Sequence, residues 1–137
     1  MIRYLSVEQV LSLHQNLVDP LSGDPGIRDL RALDAAVARP SLVFEGEDLY
    51  PTLAAKAAAL AQALVTADPF ATATAATAIA AAECFLVANG ATLHADHDDL
   101  LRLVTGIRTG DTSLEAFAIA LSQRTVNARR QQGFASS

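Results

Sequence analysis

Few residues of this chain could do chemistry, and most of them fall in three short runs. The first is Asp68-Pro69-Phe70-Ala71-Thr72-Ala73-Thr74-Ala75-Ala76-Thr77-Ala78, with one carboxylate and three hydroxyls set among alanines. Asp68 could accept a proton, but the run holds no histidine, lysine or arginine to assist a reaction or grip an anion. Asp followed by Pro also makes a good helix start. The carboxylate caps free N–H groups at the positive end of the dipole, and proline needs no N–H in the first turn. We read Asp68 first as such an N-cap, with a catalytic base and a solvated surface carboxylate as the alternatives. Thr72, Thr74 and Thr77 read as packing or hydroxyl-to-carbonyl bonding groups.

The second run, His94-Ala95-Asp96-His97-Asp98-Asp99, has metal-ligand residue types. Adjacent helical positions do not converge on one point. A loop followed by an acidic first turn, with Asp96 as N-cap, is therefore the plainer reading. The third is Arg124, Arg129 and Arg130, which offset a helix dipole or, alternatively, bind an anion. His14 reads as a partly buried, hydrogen-bonded histidine. No thiol lies beside it and Ser12 is too near in sequence to pair with it, so a hydrolase triad has little support. Cys84 reads as a buried, inert thiol. Glu83 either faces the surface or pairs with Lys56 or an arginine.

These groups must be positioned by helices. The 137 residues suffice for one core, and 51% of them are hydrophobic with only 5% aromatic. Alanine dominates that set, and alanine favours helix over strand. The expected fold is all-α, a compact bundle of about six helices in a single domain over residues 1–131, with a flexible tail at 132–137. A net charge of −5 argues against nucleic acid as a partner. The single cysteine allows no internal disulfide, which fits a cytoplasmic setting. The first residues lack the apolar run of a signal peptide. Pro69 to Ala88 carries only Glu83 as a charge. A membrane span needs about 20 predominantly apolar residues, and this stretch of alanine and threonine reads instead as a buried central helix.

Ser6-Val7-Glu8-Gln9 has capping-box spacing and opens a first helix with Val7, Val10, Leu11 and Leu17 on one side. A second helix runs from about Asp29 to Ala38 and stops before Pro40. Ser41 to Tyr50 is an irregular connection or a short exposed hairpin. Pro51 suits the first turn of a third helix that reaches about Thr66. A fourth helix ends at Asn89-Gly90, and a fifth spans about His97 to Thr109 and stops at Gly110. Thr112-Ser113-Leu114-Glu115 again has capping-box spacing and opens a sixth helix to about Arg129.

Four ordered segments resemble the death-on-curing (Doc) branch of the Fic family. They are Leu5 to His14, Gly26 to Leu30 followed by Leu33 to Pro40, Leu49 to Leu60, and Phe85 to Gly90. The family's catalytic loop reads His-Pro-Phe-x-Asp-Gly-Asn-Lys-Arg-Thr-Ala. Here Pro69, Phe70, Thr77 and Ala78 keep that pattern. Asp68 stands at the histidine site and Thr72 at the magnesium-ligand site. Ala73 and Thr74 stand at the glycine and asparagine sites, and Ala75 and Ala76 at the lysine and arginine sites. The resemblance implies a phosphoryl- or nucleotidyl-transferase scaffold whose loop has lost its base and its phosphate grips. It implies no cofactor for such a degenerate member, and ATP with magnesium if catalysis has been relocated to other groups.

The resemblance further implies a toxin–antitoxin setting, with an antitoxin peptide as partner. In active relatives a hydroxyl on a protein such as a translation factor is modified. It also implies that Ser41 to Tyr50 is a flap that holds an extended peptide by strand addition. Leu42, Val43 and Phe44 would dock the peptide, and Glu45, Glu47 and Asp48 would favour a basic one. The competing reading of this stretch is a loop whose apolar residues cover the core.

Overall fold

Alanine governs the architecture. The computed structural model describes residues 1–127. Its central element is α3 (Leu53–Ala67), which is apolar on nearly every face and carries Lys56 as its one charge. A helix apolar all round belongs in the middle of a fold. Around it pack α2 (Leu30–Ala38), α4 (Thr74–Ala88), α5 (His97–Thr109) and α6 (Leu114–Arg124), while α1 (Val7–Leu17) lies against α4 and α2. Ala57, Ala58 and Ala61 of α3 and Ala81 and Ala82 of α4 are buried, and their small side chains permit close approach of the two backbones. Leu60, Leu64, Phe85, Leu86, Phe117 and Leu121 supply the bulk between helices. Six α-helices among the described residues bear out the all-α expectation.

Local chemistry sets the helix ends. Ser6 and Gln9 form the anticipated capping box on α1. Asp29 caps α2 by accepting from the Ala32 N–H at 3.0 Å, and Asp96 caps α5 by accepting from the Asp98 N–H at 2.9 Å. Gly110 closes α5 in the left-handed region, at φ 87°. Two caps differ from expectation. Thr52, not Pro51, opens α3, because its hydroxyl accepts from the Ala55 N–H; Pro51 therefore lies before the cap. Ser113, not Thr112, caps α6, accepting from the Ala116 N–H.

One further boundary and one buried face are corrected. α6 ends at Arg124, and Thr125–Asn127 (β4) pairs antiparallel with Ala91–Leu93 (β3). The Thr125 hydroxyl donates to the Leu121 carbonyl at 2.6 Å, and two β-branched residues in a row then favour extension. In α1, Leu17 is exposed and His14 takes a buried place instead. The stretch after α2 makes a single 3-10 turn (Arg39–Ser41) and then a hairpin of β1 (Val43–Phe44) and β2 (Glu47–Asp48). Its two-residue turn, Glu45-Gly46, has both φ angles positive, the form that matches strand twist. Among the described residues no helix is long and apolar enough to cross a membrane. The expected tail at 132–137 lies outside the described residues, as do Arg129 and Arg130.

Candidate functional site

The loop between α3 and α4 is held in shape mainly through its backbone. The Pro69 carbonyl accepts from the N–H groups of Arg28 (2.6 Å) and Asp29 (3.2 Å), and the Ala71 N–H donates to the Gly26 carbonyl at 3.0 Å. Phe70 is fully buried and stacks on His14, with ring centroids 3.8 Å apart and planes 10° apart. His14 Nε2 lies 2.9 Å from the Thr72 carbonyl. A carbonyl only accepts, so Nε2 carries the proton. The Thr72 hydroxyl donates to the Asp24 carbonyl at 2.8 Å. His14 is hydrogen-bonded as the sequence suggested but fully rather than partly buried, and its task is to hold this loop.

Asp68 does not cap α4. It closes α3 from the left-handed region (φ 47°, ψ 56°), with its N–H donating to the Leu64 carbonyl at 2.9 Å. The extended Pro69-Phe70 step along residues 26–29 delays the next helix, so α4 starts at Thr74 behind Ala73, whose φ is 63° and which offers no side-chain cap. The N-cap reading is corrected on those grounds. The carboxylate still reaches the mouth of α4, since Oδ1 accepts from the Thr74 hydroxyl at 2.8 Å.

Two arginines flank this carboxylate. Arg28 Nη1 lies 3.4 Å from Oδ2, and Arg108 Nη2 lies 3.5 Å from Oδ1. Arg28 precedes α2 and Arg108 sits in the last turn of α5, so three separate segments meet at Asp68. Together with Thr72, Ala73 and Thr74 they line a recess at the head of α4. Ala75 and Ala76 complete the first turn there, where N–H groups have no partner within the helix. Of the threonines, Thr72 and Thr77 bond carbonyls as expected, the latter reaching Ala73 at 2.8 Å; Thr74 bonds a carboxylate instead.

This donor set does not suit magnesium, which takes about six oxygen ligands including carboxylates. The recess offers one carboxylate, and each of its oxygens already faces an arginine. The single carboxylate of the recess is shared between the two arginines and the Thr74 hydroxyl.

The hairpin presents the other candidate group. Leu42, Val43 and Phe44 are 44%, 59% and 66% exposed, so they do not cover the core. The Leu49 N–H donates to the Leu42 carbonyl at 2.9 Å and extends the ladder by one rung. Lys56 pairs with Asp48 at 3.1 Å, while Glu83 faces solvent. Elsewhere, Asp99 is paired with Arg102 and Arg124, which also donates to the Ala120 carbonyl. Among the described residues no set of three metal-ligating side chains converges, the His94 to Asp99 run included.

Sequence reasoning missed Arg28 and Arg108 as neighbours of Asp68, and Asp48 as the partner of Lys56. Arg108 had a local signal, a cation in a helix's last turn, but nothing in the sequence pointed it toward residue 68.

Comparison with known proteins agrees with this geometry. The profile of the Fic/DOC family matches residues 4–86, from just before α1 through the loop into the last turn of α4. A protein of Mycolicibacterium smegmatis (strain ATCC 700084 / mc(2)155) named "Toxin Doc" is 40% identical over 124 residues, which cover 89% of this chain and 93% of that relative. With a matched profile over more than half its length and a full-length relative, this chain is a member of the Fic/DOC family.

Proposed function

We propose that this chain is a Doc-like protein of a toxin–antitoxin setting, acting in the cytoplasm by binding a protein partner, without transferase activity or cofactor. One observation carries the proposal: the loop's only carboxylate is held between Arg28 and Arg108 while accepting the Thr74 hydroxyl. A general base must be free to take a proton, and its loss costs about 10²–10⁴ in rate. Removing one electrostatic donor by itself costs roughly 10²–10³, and the two losses do not simply add. Ala73, Ala75 and Ala76 offer no side-chain donors at all. The relative named "Toxin Doc" supports the setting. The exposed hairpin supplies the binding mode, strand addition along Val43–Phe44 with Leu42 beside it. Glu45 and Glu47 favour a basic segment of an antitoxin.

Two assays test this. Antitoxin tail peptides titrated by calorimetry should bind, and absence of binding to every tail would count heavily against the docking role. Labelled ATP with magnesium and bacterial lysate should give no transfer above background.

A second reading, an active transferase modifying a protein hydroxyl, is favoured by the convergence of two arginines from outside the loop. Transfer that vanishes in Asp68→Ala would establish it over the first. A thermal-shift series at millimolar ATP–magnesium adds an independent check, since a ligand that binds the folded state raises its melting temperature.

A further inference from the structure

Lys56 is the only lysine in the chain, and its side chain is 1% exposed. Burying an ammonium is costly unless it is paired and hydrogen-bonded. Its three neighbours come from three parts of the sequence. Nζ donates to Asp48 Oδ2 at 3.1 Å, lies 3.4 Å from the Pro40 carbonyl, and sits 5.5 Å from the centre of the Tyr4 ring. Pro40 belongs to the turn that leads into the hairpin, and Asp48 to the strand that leads out of it. One buried charge on the central helix thus holds both roots of an otherwise exposed ribbon. Both strands are exposed throughout, so packing contributes little to their orientation.

We propose that Lys56 is the positioning residue of the hairpin, fixing through Asp48 and Pro40 the angle at which the Val43–Phe44 edge meets a partner. The ammonium is well suited to this, because α3 cannot move without disturbing the core. Burial pushes its pKa down, but the Tyr4 phenol and the Asp48 carboxylate outweigh burial and hold it above the ordinary lysine value. It therefore stays charged and paired at neutral pH. The inference rests on the docking reading only for its consequence, not for its geometry.

The test uses the full chain with Asp48→Ala, Asp48→Glu, Lys56→Met and the Asp48→Ala/Lys56→Met double variant. Hydrogen exchange of the hairpin amides, Leu49 included, should quicken at least tenfold in Asp48→Ala while the α3 and α4 amides keep their protection. Asp48→Glu should restore most of the slow exchange, and the double variant should add nothing to Lys56→Met. Acylation by an amine reagent, read by mass spectrometry at residue 56, should rise at least tenfold in Asp48→Ala. Hairpin exchange within twofold of the wild type, or effects that simply add in the double variant, would overturn the proposal. Should Lys56→Met fail to fold, the Asp48 variants decide alone. A synthetic octapeptide of alternating valine and lysine, titrated against wild type and Lys56→Met, which keeps the Asp48 charge, gives the consequence. Weaker binding by the variant supports positioning of the docking edge, and equal binding overturns it. If neither binds, the docking reading fails while the exchange and acylation results still decide the role of Lys56.

Discussion

Replacing Asp68 should separate charge from shape at the head of α4. Its side chain is 39% exposed and its arginine partners are 59% and 52% exposed, so each ion pair falls in the surface class of about 0.2–1 kcal/mol. The Thr74 hydroxyl is different, because Thr74 is only 5% exposed and a buried donor left without an acceptor costs roughly 1–3 kcal/mol. Asp68→Asn retains an oxygen for Thr74 and tolerates the left-handed backbone, so it should lose only the ion pairs, about 0.5–1.5 kcal/mol. Asp68→Ala loses the acceptor as well and strains the positive φ, for a total of about 2–4 kcal/mol. Urea unfolding at 0.05 M and 0.5 M NaCl measures both, with the slope of the transition as the check on two-state behaviour. The Asn penalty should shrink in high salt, where screening acts over only a few ångströms. An Ala variant within 0.5 kcal/mol of wild type, or an Asn penalty indifferent to salt, would refute the reasoning.

Three other perturbations give distinct signatures. His14→Ala removes the ring stacked on Phe70 and orphans the Thr72 carbonyl, and it should cost about 2–4 kcal/mol by chemical denaturation, with His14→Gln losing less. Gly106→Ala should destabilise by about 1–3 kcal/mol, despite alanine's better helix propensity, because a β-carbon there runs into the Thr112 side chain; a neutral or higher midpoint would contradict the packing. Lys56 has a folded pKa above its ordinary 10.5, so its contribution is complete below that pH and is lost as pH rises through the folded value. Wild-type stability should therefore fall above about pH 10.5 relative to Lys56→Met, whose difference curve removes the titration of tyrosines; parallel curves would exclude the linkage.

The helices were legible because alanine content, paired caps and glycine stops act locally. The capping box at Ser6 and the stop at Gly110 needed no tertiary information. The resemblance placed the loop correctly between two helices, yet the Asp-Pro step misled at close range. That dipeptide opens helices in isolation, whereas here hydrogen bonds from the Arg28 and Asp29 N–H groups and to the Gly26 carbonyl draw the next residues into an extended path. Such long-range bonds leave no trace in local spacing. The same holds for Arg108, 40 residues away from Asp68 in sequence, and for Thr125, whose helix-ending hydroxyl bond competes with helix propensity. The hairpin was legible as an option because Gly46 sits among short apolar and acidic runs. Which residue would anchor it was not legible, since a lysine among alanines gives no hint of burial.

The main-chain fastening of residues 69–72 has a wider consequence. Pro69 and Ala71 are tied down through backbone atoms, Thr72 through both its carbonyl and its hydroxyl, and Phe70 by its side chain. Contour and reactivity are therefore separate properties of this segment. Ala71 and Ala76 take no side-chain part in this fastening, so the path of the chain does not depend on which side chains they carry.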